Sequence, residues 1–227
     1  MSKIGFRIET SPGPAVSAQA LAQYATVGSA QISDCMARLY GVVGLSPRHK
    51  PGGPRMVGTA VTVKTRPGDN LMIHKAISMA GPGDVIVVDG AGDLTNALVG
   101  ELMSMQAQAR GIAGFVIDGA IRDADTFAQQ DFACFARGVS HKGPYKDGPG
   151  EINVPISVGG QVVHAGDVVV GDADGVVFIE AARAADVLQW ALKKEAAEVD
   201  TKRMILAGEG GAKPWVDTTI AQKTEAL

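Results

Sequence analysis

Glu101, Arg122 and Asp123 are the residues on which chemistry can most readily be placed. They lie within one continuous stretch, Asp84 to Asp123, that reads as strand, Gly-rich turn, helix and second strand. Such a βαβ unit brings ligands to the carboxyl ends of its strands. A guanidinium and two carboxylates at that edge carry fixed charges to a place where ligands collect. Each also has a plainer reading. An Arg-Asp pair commonly makes surface contacts, and a glutamate near a helix start is stabilised by the helix dipole. Lys146, in a Gly/Pro-rich loop, would by itself be a solvated charge.

Other chemistries lack their residues. Gly90-Ala-Gly92 follows a strand as a dinucleotide fingerprint would, but Thr95 stands at the third glycine. The acidic partner about 20 residues on is missing as well, since Arg110 and Gly111 occupy that region. The histidines His49, His74, His141 and His164 are scattered, without the spacing of a zinc site. No nucleophile elbow is present, and Cys134 has no evident activating neighbour. Asp172-x-Asp174-Gly175 lacks the remaining ligands of a calcium loop and reads as a turn.

The elements that must position the three residues follow from periodicity. Val85 to Val88 is an apolar run of β-formers, as in a strand buried on both faces. A helix is expected near Ala97, with Leu98, Leu102, Met105 and Ala109 on its apolar side. Phe115 to Ile117 is the second strand, and Ala124 to Gln130 a further helix. Upstream, residues 1–14 form an arm, Ala15 to Ala25 a helix carrying Val16, Leu21 and Tyr24, and Cys35 to Tyr40 a short helix capped by Ser33 or Asp34. Val57 to Lys64 alternates like a half-buried strand. Pro67 to Asn70 is a turn opening a helix from Leu71 to Met79, with Asp69 or Asn70 as its cap. Downstream, Cys134 to Ala136, Val154 to Val158, Gln161 to His164, Asp167 to Val170 and Gly175 to Ile179 read as short strands with hairpin turns. Ala181 to Ala207 is a long helix with Val187, Ala191, Leu192 and Val199 inward, and Trp215 in the tail is expected to dock.

At 227 residues the chain can bury one core, and we expect a single α/β domain with a C-terminal helix and tail over 181–227. Its 46% hydrophobic and 20% charged residues suit a globular protein, and a net charge of −3 gives no general attraction to nucleic acid or anionic membrane. No apolar run reaches the ~18 residues of a membrane span. Neither a signal peptide nor a disulfide is expected of the two cysteines' context, so a cytoplasmic setting is the expectation.

Glu101, twenty intervening residues and then Arg122-Asp123 resemble the acidic and Arg-Asp motif of class II pyruvate aldolases within the RraA-like family. These include 4-hydroxy-4-methyl-2-oxoglutarate / 4-carboxy-4-hydroxy-2-oxoadipate aldolase. The surrounding text agrees: PGDN at 67–70, PGDVIVVD at 82–89, GEL at 100–102, NVPI at 153–156 and GDVVVGDADGVV at 166–177. The resemblance implies a swivelling β/β/α-type fold, a central mixed sheet with flanking helices, assembled as a homotrimer or hexamer. It implies pyruvate-forming cleavage of 4-hydroxy-2-oxo acids, with oxaloacetate decarboxylation as a side activity. Asp123 would hold Mg²⁺ or Mn²⁺ directly and Glu101 through water, where the family often has Asp. Glu198, or Glu195, would reach a neighbouring subunit's metal waters, unless it only pairs with Lys202. Arg122 would stabilise the enolate, the amides of Leu102 and Met103 would hold the substrate carboxylate, and Asn70 and Lys146 would line the pocket. A metal-bound or carboxylate-held water would take the 4-hydroxyl proton. The family also implies an alternative, a non-catalytic regulator binding a ribonuclease or helicase.

Overall fold

The computed structural model describes residues 3–14, 16–211 and 213–224. Ala15, the expected first residue of the first helix, lies outside the described residues. In chain order the elements are α1 (Ala18–Tyr24), α2 (Ser29–Cys35), β1 (Ser46–Pro47), β2 (Met56–Thr65), α3 (Leu71–Met79), β3 (Asp84–Asp89), β4 (Ala97–Val99), α4 (Glu101–Ala109), β5 (Gly114–Ile121), α5 (Ala124–Phe127) and β6 (Ala133–Val139). Then come β7 (Gly150–Ile152), β8 (Ile156–Val158), β9 (Gln161–Val163), β10 (Val168–Asp172), β11 (Gly175–Ile179), a 3₁₀ turn at Ala181–Arg183, α6 (Ala184–Leu206) and α7 (Pro214–Thr224). The chain divides into two compact units, Met1–Ala191 and Leu192–Leu227.

Among the described residues of the first unit, one mixed sheet runs β1-β6-β5-β3-β2-β10-β11, with β4 added beside β5 and β7 beside β2. β2, β3, β5 and β6 are mutually parallel, whereas β1, β7, β10 and β11 pair antiparallel. Central parallel strands must bury both faces, which is why Val85, Ile86, Val87 and Val88 are all fully buried. One face packs Ile86, Val88, Phe115 and Ile117 against Ile73 and Ile77 of α3 and Met103 and Ala107 of α4. The other packs Val85, Val87, Val116 and Phe135 against Ile156, Val158 and Val163 of the β8–β9 hairpin. Each fully buried aliphatic or aromatic side chain there is worth about 1.5–3 kcal/mol.

Several local expectations change. β2 is not half-buried: only Val57 and Lys64 escape burial, because neighbours lie on both sides of the strand. Alternation with Gly58, Thr59, Ala60 and Thr62 conceals small residues that are themselves packed. Ala97 to Val99 is not helical but a strand paired parallel with β5, and the helix begins at Glu101. Consequently Leu98 is buried, whereas Leu102 and Met105 are exposed and Met103, Ser104 and Ala107 face inward. The helix expected over Cys35 to Tyr40 instead spans Ser29–Cys35 with Gly28 as its cap, so Ser33 and Asp34 sit inside it. Ala37 and Arg38 adopt left-handed backbone, which stops any continuation. The helix after Asp123 is one turn, not two. In the second unit, Val199 is exposed and Trp215 sits on α7, 63% exposed. Neither apolar residue is covered among the described residues of that unit.

The arm is tied down. Gly150 N–H donates to Gly5 O at 2.7 Å and Ile152 N–H to Arg7 O at 3.0 Å, so residues 5–9 run beside β7. No helix among the described residues is long and apolar enough to cross a membrane.

Candidate active site

Strand β5 has to end where α4 begins, because β4 joins its edge and leads into Gly100. Arg122 N–H donates to Val99 O at 3.0 Å, fixing that junction. Asp123 then takes a left-handed conformation (φ 57°, ψ 42°), unusual for a residue with a Cβ, and turns the chain into α5. Its side chain does not cap α5. Instead Asp123 Oδ2 accepts from Glu101 N–H at 2.9 Å, at the start of α4. A carboxylate there is favoured by the helix dipole and by the unpaired amides of the first turn.

The three residues singled out by spacing are therefore brought together. Arg122 Nε lies 3.8 Å from Asp123 Oδ2, with both side chains partly solvent-exposed. Gly100 is the floor beneath them: a Cβ there would stand 2.5 Å from Asp123 Oδ2 and 3.1 Å from Arg122 Nε. Asp123 Oδ1 and the Glu101 carboxylate have no protein partner among the described residues. Among those residues no group of three or more His, Cys, Asp or Glu side chains is placed to hold a metal ion.

Beside the pair lies a cavity of about 240 Å³, into which Arg122, Asn70, His74, Lys146, Leu102 and Met103 converge. Met103 N–H donates to Gly100 O at 3.1 Å, a 3₁₀-type bond, while Leu102 N–H has no partner among the described residues. Asn70, at the start of α3, does not cap that helix with its side chain; Asp69 Oδ1 accepts from Leu71 N–H at 2.9 Å in its stead. Asn70 Nδ2 donates to Leu98 O at 3.0 Å, which ties α3 to β4. Its Oδ1 is buried without a partner. An orphaned acceptor in a cavity wall calls for a donor from a ligand or water. The loop bearing Lys146 is held by Asp69, whose Oδ2 accepts from the amides of Asp147 and Gly148 at 2.8 and 2.9 Å.

Glu198 lies in the second unit, where its Oε1 is 3.8 Å from Lys194 Nζ. His74 is not marked by the sequence alone, because the four histidines share no ligand spacing. Its position four residues after Asn70, on the same face of a capped helix, is the signal that could have found it. Gly100 and the β4 strand were missed as well, since a three-residue strand leaves no periodicity.

Away from this site, Asp118 is buried with Arg137 as its ion-pair partner, and its Oδ2 accepts from Gly159 N–H at 3.0 Å. That pair anchors the β8–β9 hairpin. Cys134 is buried and its thiol is pushed far above its usual range by desolvation, which suits an inert core residue.

Comparison with known proteins identifies the family. Residues 29–178 match the RraA-like family (Aldolase/RraA). A protein of Halalkalibacterium halodurans named "Putative 4-hydroxy-4-methyl-2-oxoglutarate aldolase" is 43% identical over 187 residues, covering 82% of this chain and 88% of that protein. An uncharacterised protein from Pseudomonas syringae pv. tomato superposes with a TM-score of 0.77 at 29% identity, over 86% of this chain and 95% of the other. The RNA-processing inhibitor RraA of the genus Thermus superposes with a TM-score of 0.61 at 28% identity, over 67% and 92% of the two chains. With its sheet, its acidic and Arg-Asp motif and this extent of matching, the chain belongs to the RraA-like family.

Proposed function

We propose that this protein is a divalent-metal-dependent aldolase that cleaves 4-hydroxy-2-oxo acids to pyruvate and a second oxo acid. The observation that carries the reading is the meeting of Glu101, Arg122 and Asp123 at one helix start, beside a cavity that also receives Lys146 and Asn70. The relatives named for 4-hydroxy-4-methyl-2-oxoglutarate suggest the substrate.

The donor set fits a hard cation that keeps much of its water. Asp123 offers a partnerless Oδ1, Glu101 offers a second carboxylate, and Gly100 keeps the space over Asp123 clear of a side chain. One or two carboxylates, with substrate oxygens and water completing the shell, is how Mg²⁺ or Mn²⁺ is usually bound. Held there, the ion supplies Lewis-acid polarisation of a 2-oxo acid. Glu198 from a neighbouring subunit would add a further carboxylate in a homotrimer or hexamer.

The chain's own groups do the rest. Arg122 pairs with the oxygen that gains charge as the pyruvate enolate forms, an interaction that strengthens along the reaction coordinate. The Leu102 amide is free to bind the substrate carboxylate, and the Met103 amide can join it by sharing its bond to Gly100. Lys146 adds positive charge to the cavity wall, available to the carboxylates of the substrate and the leaving oxo acid. Oxaloacetate decarboxylation passes through the same enolate and is expected as a second activity.

The test is a lactate-dehydrogenase-coupled pyruvate assay on 4-hydroxy-4-methyl-2-oxoglutarate and on oxaloacetate, with Mg²⁺ and then with EDTA. Metal-dependent pyruvate release supports the aldolase. The structural likeness to an RNA-processing inhibitor favours one second reading, a non-catalytic regulator of a ribonuclease or helicase. A folded protein that releases no pyruvate from either substrate, with metal present, selects it.

A further inference from the structure

Retro-aldol cleavage needs a base for the 4-hydroxyl proton, and the cavity restricts the choice of side chain. Arg122 and the Lys146 ammonium have no acceptor to offer, and Asn70 is an amide, not a base. His74 remains. It stands one turn after Asn70 on α3 and lines the same cavity, half-buried. Its backbone N–H is spent on Asn70 O at 3.1 Å, but its ring has no hydrogen-bond partner among the described residues. A ring held in a cavity wall by its helix, with both nitrogens unclaimed by protein, is available to a ligand.

We propose that His74 is the general base of carbon–carbon cleavage, taking the substrate's 4-hydroxyl proton in place of a carboxylate-held water. The inference rests on the aldolase reading above. The imidazole nitrogen accepts the proton, the C4–O pair closes to a carbonyl, and the C3–C4 bond breaks. Its electron pair passes to C3 and is delocalised onto the pyruvate enolate oxygen opposite Arg122. The enolate then takes a proton at C3 from water, and the imidazolium gives its proton to the hydroxide so formed, returning His74 to its neutral form. No oxidant or further reactant is needed.

The electrostatics suit the assignment. Burial, and secondarily the positive charge of Lys146, lower the proton affinity of His74, so the ring is neutral and able to accept at neutral pH. The charged groups around it are Lys146 from the 143–149 loop and Arg122 from the end of β5, with Glu101 and Asp123 beyond Arg122 at the helix starts. Buried and next to Lys146, the imidazolium gives up its proton more readily than an exposed one.

Oxaloacetate separates this role from a structural one, because its decarboxylation has no hydroxyl proton to remove. His74→Gln is expected to lower kcat for 4-hydroxy-4-methyl-2-oxoglutarate by roughly 100-fold or more, as loss of a general base does. Oxaloacetate decarboxylation by the same variant should fall far less, so that the ratio of the two kcat values shifts by about tenfold or more. Equal loss of both activities, or loss of neither, overturns the proposal. A second measurement needs no variant. In the unsubstituted protein, kcat/KM for cleavage should fall on acidification below the ordinary histidine range, with no matching limb for decarboxylation. Superimposable profiles overturn it too. If the unsubstituted protein cleaves neither substrate, the aldolase reading itself fails, and this inference with it. That result is distinct from a cleaving enzyme indifferent to His74.

Discussion

Asp123 Oδ2 accepts the Glu101 amide at 2.9 Å, so the residue that ends one strand caps the helix that begins with the other acid. One carboxylate thereby sets the spacing of all three candidate residues, leaving its second oxygen for a ligand. The two roles can be separated. Asp123→Asn retains an oxygen that can accept from Glu101 N–H but removes the charge. It should keep the fold and lose pyruvate formation by about two orders of magnitude or more, comparable to losing a transition-state contact. Asp123→Ala should lose both activity and about 0.5–2 kcal/mol of stability, the usual worth of a helix cap. Coupled assays and denaturant titrations of the two variants would check this.

Gly100 matters for space and not for backbone freedom, since its extended φ of −153° is open to any residue. In Gly100→Ala the new methyl would meet Asp123 Oδ2 at 2.5 Å and Arg122 Cγ at 3.0 Å. Both side chains are partly exposed and can swing away, so stability should fall by no more than about 1–3 kcal/mol. Activity should fall far more, because the shift is confined to the proposed reacting groups. Near-normal turnover in Gly100→Ala would count against Asp123 as the metal residue.

Glu151 controls the N-terminal arm. Its carboxylate accepts from Gly5 N–H at 2.9 Å and from Arg7 at 3.0 Å, and these contacts hold its proton affinity below the usual glutamate range. A carboxyl whose affinity is lowered on folding stabilises the folded form above its unfolded pKa. That contribution is lost as pH falls through the lower folded value. Amide exchange at Gly150 and Ile152, which donate to the arm, should therefore accelerate at acid pH relative to the central strands. Glu151→Gln should remove that pH dependence.

Tyr24 is fully buried on α1, and its hydroxyl donates to Ala184 O at 2.6 Å, joining the first helix to the start of α6. Burial drives the phenol's pKa well above its ordinary value, so it remains a donor throughout the usable pH range. Tyr24→Phe removes one buried hydrogen bond and should cost about 0.5–1.5 kcal/mol, measured by denaturant unfolding, with little change in turnover.

Much of this protein could be read from its residues in order. The apolar run Val85 to Val88 has only one comfortable environment, a strand covered on both faces, and Leu71 to Met79 is a helix from its period and its preceding turn. The meeting of Glu101 with Arg122 and Asp123 was legible because a βαβ unit returns both strand ends to one edge. What the tertiary structure alone decided is non-local. Ala97 to Val99 is too short to show a period and becomes a strand only because β5 extends past β3 and offers it an edge. That pairing starts α4 at Glu101 and turns Met103 inward in place of Leu102. His74, likewise, is one scattered histidine in the chain and a cavity wall in the fold, because α3 lies against β4 through Asn70 and Leu98. Local spacing determines which groups share a helix or a strand; only packing determines which of them face the same empty space.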